Sequence, residues 1–295
     1  MGNPDDIFAV LERTWPDFSR DGVLMEPGGQ NHLVLYAGPL VVRATRYPTR
    51  AHRERLLREA ALLNVLAGRL PLPVPKPARV FAEESCPIAY VAYSRLAGVP
   101  LTKTTYASLK PAAQVRVTAD LLDFLDALHG LTEVVCHLPL PRRRPWNAWG
   151  DFYARVRRLV WDALPAHIRT AVDAHFRAFL ARAEDEPIPV RLIHGDFGTA
   201  NLLVDVERGR ATGVLDWSDA AFDDPAVDLA ALEASFGRAA LQAAGRLPPE
   251  PILARMDFYR GTFALQEAVF GCEHGDPEAL RAGIAGTVRH FSARA

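Results

Sequence analysis

The chain has 295 residues, of which 49% are hydrophobic and 23% charged, with a formal net charge of -1. This is the balance of an ordinary globular protein, long enough for one large domain or two modest lobes, and it gives no reason to expect nucleic acid or an anionic membrane as a partner. Its three cysteines, Cys86, Cys136 and Cys272, stand far apart with no C-x-x-C pair, which argues against a disulfide framework or a zinc knuckle and for a reducing, cytoplasmic setting.

The opening MGNPDDIFAV has no basic region followed by an apolar run. No later stretch reaches about 18 uninterrupted apolar residues, so neither secretion nor membrane insertion is expected. VLMEPGGQNHLVLYAGPLVVRATRY then alternates strand-like runs around a Gly-Gly turn, with Leu33, Val34 and Leu35, then Leu40, Val41 and Val42, as β-formers. RAHRERLLREAALLNVLAGRL places Leu56, Ala60, Leu63 and Ala67 on one helical face, with Gly68 available to end the helix. LPLPVPKPARV is too rich in proline to be helical, and PIAYVAYSRLAGVPL adds a strand ending near Gly98. Together these predict a small α+β lobe.

From Val115 the pattern turns mainly helical, with Leu121, Leu125 and Leu128 on one face and further helical runs in FYARVRRLVWDAL and AVDAHFRAFLARA. One β-rich insert interrupts it, VRLIHGDFGTANLLVDVERGRATGVLDW, after which helices resume to the C-terminal end. Within the insert, His194, Asp196, Asn201 and Asp216 are expected at strand ends and turns, where backbone geometry can fix a polar side chain. Asp and Asn are hard oxygen donors of the kind Mg²⁺ takes one or two at a time beside substrate phosphates. A further Asp that holds no metal is free to accept a proton from a hydroxyl. That division of labour is the one phosphoryl transfer uses. Further on, DDP reads as a helix start, with Asp224 as the N-cap and Pro225 as the first helical residue.

The segments HGDFGTANLL, GVLDWSDA, DDPAVDLAAL and ALQEAVFGCEHGD resemble the aminoglycoside phosphotransferase family, with macrolide and hygromycin kinases nearby, and the likeness runs from roughly Val23 to Ala285. It implies an α+β, two-lobe protein-kinase-like fold. Residues 1–96 would form a small β-rich nucleotide-binding lobe, and 97–295 a larger, mainly helical lobe for catalysis and acceptor binding. Asp196 matches the catalytic Asp, Asn201 and Asp216 the Mg²⁺ ligands, His194 a residue bracing the loop, and Asp228 a second brace. Arg43 stands where the family most often has Lys, and its fork could hold both phosphate and the Glu59 carboxylate. Gly28 and Gly29 could bring backbone close to phosphate oxygens. Tyr93, Ser94 and Leu96 fall where the purine of ATP or GTP would be met.

The resemblance implies transfer of the γ-phosphate of ATP or GTP to a hydroxyl of a small molecule, an aminoglycoside in the leading reading. A macrolide or small-metabolite kinase is the alternative on the same fold, and a non-catalytic nucleotide- or antibiotic-binding pseudokinase the alternative of another class. From Asp216 onward there are twelve Asp or Glu against seven Arg, an acidic bias that suits a polycationic acceptor. Asp219, Glu233, Glu267, Glu273 and Asp276 are the candidate acceptor contacts. Phe222, Phe236, Phe258, Phe263 and Phe270 could line an apolar site instead, or simply be core. No dimerisation stripe is visible, so a monomer is expected.

Overall fold

The computed structural model describes residues 4–26, 32–47, 49–182 and 187–293. It divides into two compact units, Met1–Leu140 with Thr199–Ala220, and Pro141–Gly198 with Ala221–Ala295. The expected boundary near residue 96 therefore falls inside the first unit. Among the described residues no helix is long and apolar enough to cross a membrane.

The chain starts with helix α1 (Pro4–Thr14), followed by strands β1 (Leu24–Glu26), β2 (His32–Ala37) and β3 (Leu40–Thr45), helix α2 (Arg50–Leu66), and strands β4 (Pro77–Phe81) and β5 (Tyr90–Ser94). The strands form one antiparallel sheet in the order β1-β2-β3-β5-β4. Gly28 and Gly29 lie outside the described residues. The tight turn that is described joins β2 to β3, where Ala37 pairs with Leu40 and Gly38 takes φ +59, a backbone state a two-residue hairpin needs and glycine supplies without a Cβ penalty. One sheet face packs Leu33, Leu35, Val42, Tyr90 and Ala92 against Ile7, Val10 and Leu11 of α1. The other face packs Val41, Val91 and Tyr93 against Leu56 and Ala60 of α2. In α2 the expected apolar face is present, with Thr49 as N-cap and Gly68 at φ +79 just past the end.

The first unit continues through β6 (Val99–Pro100), α3 (Lys103–Ser108), α4 (Pro111–Gly130) and α5 (Thr132–Val135). The second unit then takes over with α6 (Pro145–Leu159), α7 (Ala166–Leu180) and β7 (Arg191–Ile193). The chain re-enters the first unit for a 3₁₀ turn (Thr199–Asn201), β8 (Leu202–Asp205) and β9 (Arg210–Val214), which extend β6 into a three-stranded sheet. It finishes in the second unit with β10 (Ala221–Asp223), α8 (Ala226–Phe236), α9 (Arg238–Ala243), α10 (Glu250–His274) and α11 (Pro277–Ser292).

Aromatic packing organises the second unit: Phe179 stacks on Phe258 at 3.6 Å, with Phe152, Phe176 and Tyr259 around the pair. Helices α10 and α11 approach closely because Gly283 leaves room for the backbone of Ala268. A Cβ on Gly283 would fall 2.6 Å from the Ala268 Cα and 2.7 Å from the Ala264 carbonyl oxygen. Helix propensity alone would favour Gly283→Ala by about 1 kcal/mol, but the obstacle is backbone and cannot rotate away. We expect Gly283→Ala to lose about 1–3 kcal/mol by thermal melting. Gly130→Ala, where an added Cβ meets nothing within 4 Å, should lose nothing.

Candidate active site

In the first unit the polar centre forms around Arg43 on β3. Its cross-strand partner is Val34, so the guanidinium projects on the α2 side of the sheet, where it is buried. One nitrogen donates to Glu59 of α2 and the other to the Asp216 Oδ1 at 2.9 Å. Burial opposes the charge on Arg43, but Glu59, then Tyr93 and Asp216, outweigh it and raise its pKa, so it stays cationic. Tyr93, paired with Val41 across the sheet, lies in the same cluster and its phenol is pushed above its ordinary range by burial first. The expected pairing of Arg43 with Glu59 is thus present in the geometry.

Asp216 follows β9 and takes φ +52, the left-handed region, as no other non-glycine residue does among those described. Its Oδ1 accepts the backbone N–H of Ser218 at 3.3 Å, and Glu59 accepts the N–H of Trp217 at 3.4 Å. Burial would raise the Asp216 pKa, yet Arg43 and the Ser218 hydrogen bonds bring it to about 2, so the carboxylate is ionised at neutral pH. Asn201 is buried at the same end of the β8–β9 pair, where its carbonyl accepts the N–H of Leu215 at 2.7 Å. The structure thus brings Asn201 and Asp216 to one end of one hairpin.

A carboxylate held ionised beside an Asn offers the oxygen chemistry Mg²⁺ takes. Among the described residues no group of three or more His, Cys, Asp or Glu forms a metal cage. Asn201 and Asp216 are the hard oxygen donors that a cation taking one or two protein ligands beside phosphate and water would accept. Ser94 is exposed at the end of β5, and Leu96 follows it, with the Thr212 hydroxyl donating to the Ala97 carbonyl at 2.8 Å to fasten this segment to β9.

One member of this region was not read from the sequence. His32, the first residue of β2, is 4% exposed, and neither ring nitrogen has a hydrogen-bond partner among the described residues. Burial, then the nearby Arg43 charge, lowers its pKa from 6.5 to about 3. Between those values the unfolded chain binds a proton that the folded chain does not, so folding stability falls as pH falls from about 6.5 to about 3. His32→Leu should flatten that slope. It should also stabilise the fold at pH 7, because a buried polar group without a partner costs about 1–3 kcal/mol. Denaturation midpoints at pH 7 and pH 4 check both points.

In the second unit, β7 pairs with β10 and delivers the chain into His194-Gly195-Asp196. The buried Asp228, in the first turn of α8, accepts the backbone N–H of His194 on Oδ2 and that of Gly195 on Oδ1, each at 2.9 Å. The His194 ring accepts the N–H of Asp196 through Nδ1 at 3.2 Å and meets Phe197 edge-on. Gly195 takes φ +85, which lets the chain turn here. The result is a backbone fastened from beneath with the Asp196 side chain exposed above it. Asp224 departs slightly from its expected role: α8 begins at Ala226 with Pro225 at the cap. Asp224 still accepts the Ala226 N–H at 2.9 Å, and it also receives Arg255 and Tyr259 at 2.7 Å each.

Most of the candidate acceptor residues are engaged by other groups of the fold. Glu233, expected as an acceptor contact, is instead buried, and its carboxylate takes up Arg238 and Arg260. Its position on the α8 face turned towards α10 explains the difference. Asp276 caps α11 by accepting the N–H groups of Glu278 and Ala279 at 3.0 Å. Glu273 pairs with Arg155 of α6, and Asp219 pairs with Arg55 of α2 at 2.7 Å. Glu267 is exposed and has no ion pair among the described residues. Phe222 and Phe258 are core.

A model of the phosphotransferase enzyme family matches residues 29–264. Viomycin phosphotransferase from Streptomyces vinaceus is 31% identical over 288 residues, covering 94% of this chain and 96% of that protein. The GDP complex of wild-type aminoglycoside 2'-phosphotransferase-IIIa superposes with a TM-score of 0.89 at 18% identity and covers 100% of both chains. The macrolide 2'-phosphotransferase apoenzyme from Brachybacterium faecium gives 0.70 at 24% identity, covering 96% of this chain and 98% of that one. The α+β, protein-kinase-like fold expected from the sequence, β-rich in its N-terminal part, is the fold found.

Proposed function

We propose, from the premise that this chain belongs to the phosphotransferase enzyme family, that it transfers the γ-phosphate of ATP or GTP to a hydroxyl of an antibiotic, an aminoglycoside first. The observation that carries the reading is the buried Arg43 joined to both Glu59 and an ionised Asp216. This arrangement sets a fixed cation for phosphate oxygens beside a carboxylate for their metal. Positioning and charge neutralisation are most of what phosphoryl transfer asks of a protein.

In this reading Asp216 and Asn201 would hold Mg²⁺, which supplies charge neutralisation on the phosphates when bound. Arg43 binds phosphate oxygens and Glu59 fixes the direction of its fork. Tyr93, Ser94 and Leu96 form the purine end of the nucleotide site within residues 1–96. Asp196 accepts the proton of the acceptor hydroxyl, and Asp228 and His194 fix the loop that carries it. The acceptor is bound by residues after position 96, with Glu267 an exposed carboxylate, outside any ion pair among the described residues, that can meet a cationic group. The similarity to viomycin phosphotransferase adds viomycin to the acceptors worth testing.

The test is release of nucleoside diphosphate with Mg²⁺ and ATP or GTP, offered against aminoglycosides, viomycin, macrolides and hygromycin. Fast turnover that depends on an aminoglycoside supports the proposal. Turnover with a macrolide or viomycin alone would reassign the acceptor, and nucleotide binding without turnover on any acceptor would overturn the enzyme reading.

A further inference from the structure

We propose that Arg55 is a positioning residue for Asp216: with Glu59 it forms a two-point clamp on residues 217–219 that keeps the Asp216 carboxylate in its metal-holding orientation. The proposal rests on the reading of Asp216 as a Mg²⁺ ligand.

Arg55 and Glu59 are four residues apart on α2 and so share one helix face, one turn apart. Glu59 accepts the Trp217 N–H at 3.4 Å. From the preceding turn, Arg55 Nε donates to the Ser218 carbonyl oxygen at 3.0 Å, and its terminal nitrogen reaches Ser218 Oγ at 3.4 Å and Asp219 Oδ1 at 2.7 Å. One helix face therefore supplies an acceptor and a donor to consecutive residues of the segment. That segment needs holding, because Asp216 at φ +52 sits in a region that L residues with a Cβ disfavour. Without the clamp the backbone can relax to negative φ, which would swing the carboxylate away from its present direction.

Exposure argues against a purely stabilising role. The Arg55 and Asp219 side chains are 28% and 46% exposed, and an ion pair that open contributes little to folding on its own. What distinguishes this one is the backbone acceptor at Ser218, which a planar guanidinium fork can engage together with a carboxylate. Asp219 then belongs to the clamp and not to the acceptor contacts.

The experiment titrates Mg²⁺ into the full chain with ATP or GTP, follows nucleotide binding, and records acceptor KM and melting for Arg55→Ala, Arg55→Lys, Asp219→Ala and Asp216→Ala. Arg55→Ala should raise the Mg²⁺ concentration for half-maximal binding by about tenfold, and Asp219→Ala by about threefold, the range a typical net hydrogen bond spans. Arg55→Lys, which can keep one contact, should fall between wild type and Arg55→Ala. Acceptor KM and Mg²⁺-free nucleotide affinity should stay at wild-type values. An unchanged Mg²⁺ requirement in Arg55→Ala, with binding lost in Asp216→Ala, would refute the clamp and leave the metal reading standing. A raised acceptor KM in Asp219→Ala at unchanged Mg²⁺ requirement would also refute it. Mg²⁺-dependent binding that survives Asp216→Ala overturns the metal reading and the clamp with it.

Discussion

Asp196→Ala is expected to lower kcat by about 10²–10⁴-fold, the usual contribution of a positioned proton acceptor, with nucleotide affinity and melting temperature close to wild type. The local structure separates the two effects. Asp196 is exposed, so truncation opens no cavity, and the turn beneath it is held by backbone hydrogen bonds to Asp228 and His194 that the substitution leaves in place. Asp196→Asn keeps the shape and loses the basic oxygen, so it should fall nearly as far. Diphosphate release and nucleotide titration on both variants make the check. Near-wild-type turnover in Asp196→Asn would mean that the side chain orients the hydroxyl without taking its proton.

The largest loss of stability is expected from Asp224→Ala, about 3–5 kcal/mol, the cost of removing one partner of a buried ion pair. Asp224 is fully buried and Arg255 nearly so, with 2.7 Å between carboxylate and guanidinium. The same carboxylate accepts the Tyr259 hydroxyl and the Ala226 N–H, so one truncation takes this acceptor away from three interior donors at once. Asp224→Asn retains an acceptor oxygen and should lose less. Urea denaturation followed by tryptophan fluorescence measures both, and a loss below about 1 kcal/mol for Asp224→Ala would show that water takes over the carboxylate's role.

Sequence spacing made part of this site legible. Asp196, Asn201 and Asp216 stand at short intervals among strand and turn signals, and Gly195 marks a backbone that must turn. Arg43 and Glu59 could be paired because Arg43 stands where the resembled family most often has Lys, and a guanidinium fork can hold a carboxylate. The clamp was not legible, because α2 carries Arg50, Arg53, Arg55 and Arg58, and nothing local distinguishes the one that reaches a segment more than 160 positions later. His32 was missed for a related reason: its isolation depends on what fails to surround it. Glu233, expected as an acceptor contact, is instead taken up by tertiary partners, Arg238 and Arg260, that no local pattern announces. Helix α1 left a signal that went unread, with Asp5 and Asp6 in its first turn and Ile7, Val10 and Leu11 at helical spacing.

The first unit is assembled from two separated stretches of chain, Met1–Leu140 and Thr199–Ala220. During synthesis, residues 141 to 220 must follow before that unit can be completed, a delay of about 4–16 s at ribosomal speeds of 5–20 residues per second. Until then the nascent protein carries Arg43 and Glu59 but lacks Trp217 and Asp216, which join them in the finished fold. Translation pauses inside this interval should therefore prolong the life of an unfinished hydrophobic surface, and chaperone demand should follow the codon usage of that stretch more closely than that of the rest of the gene.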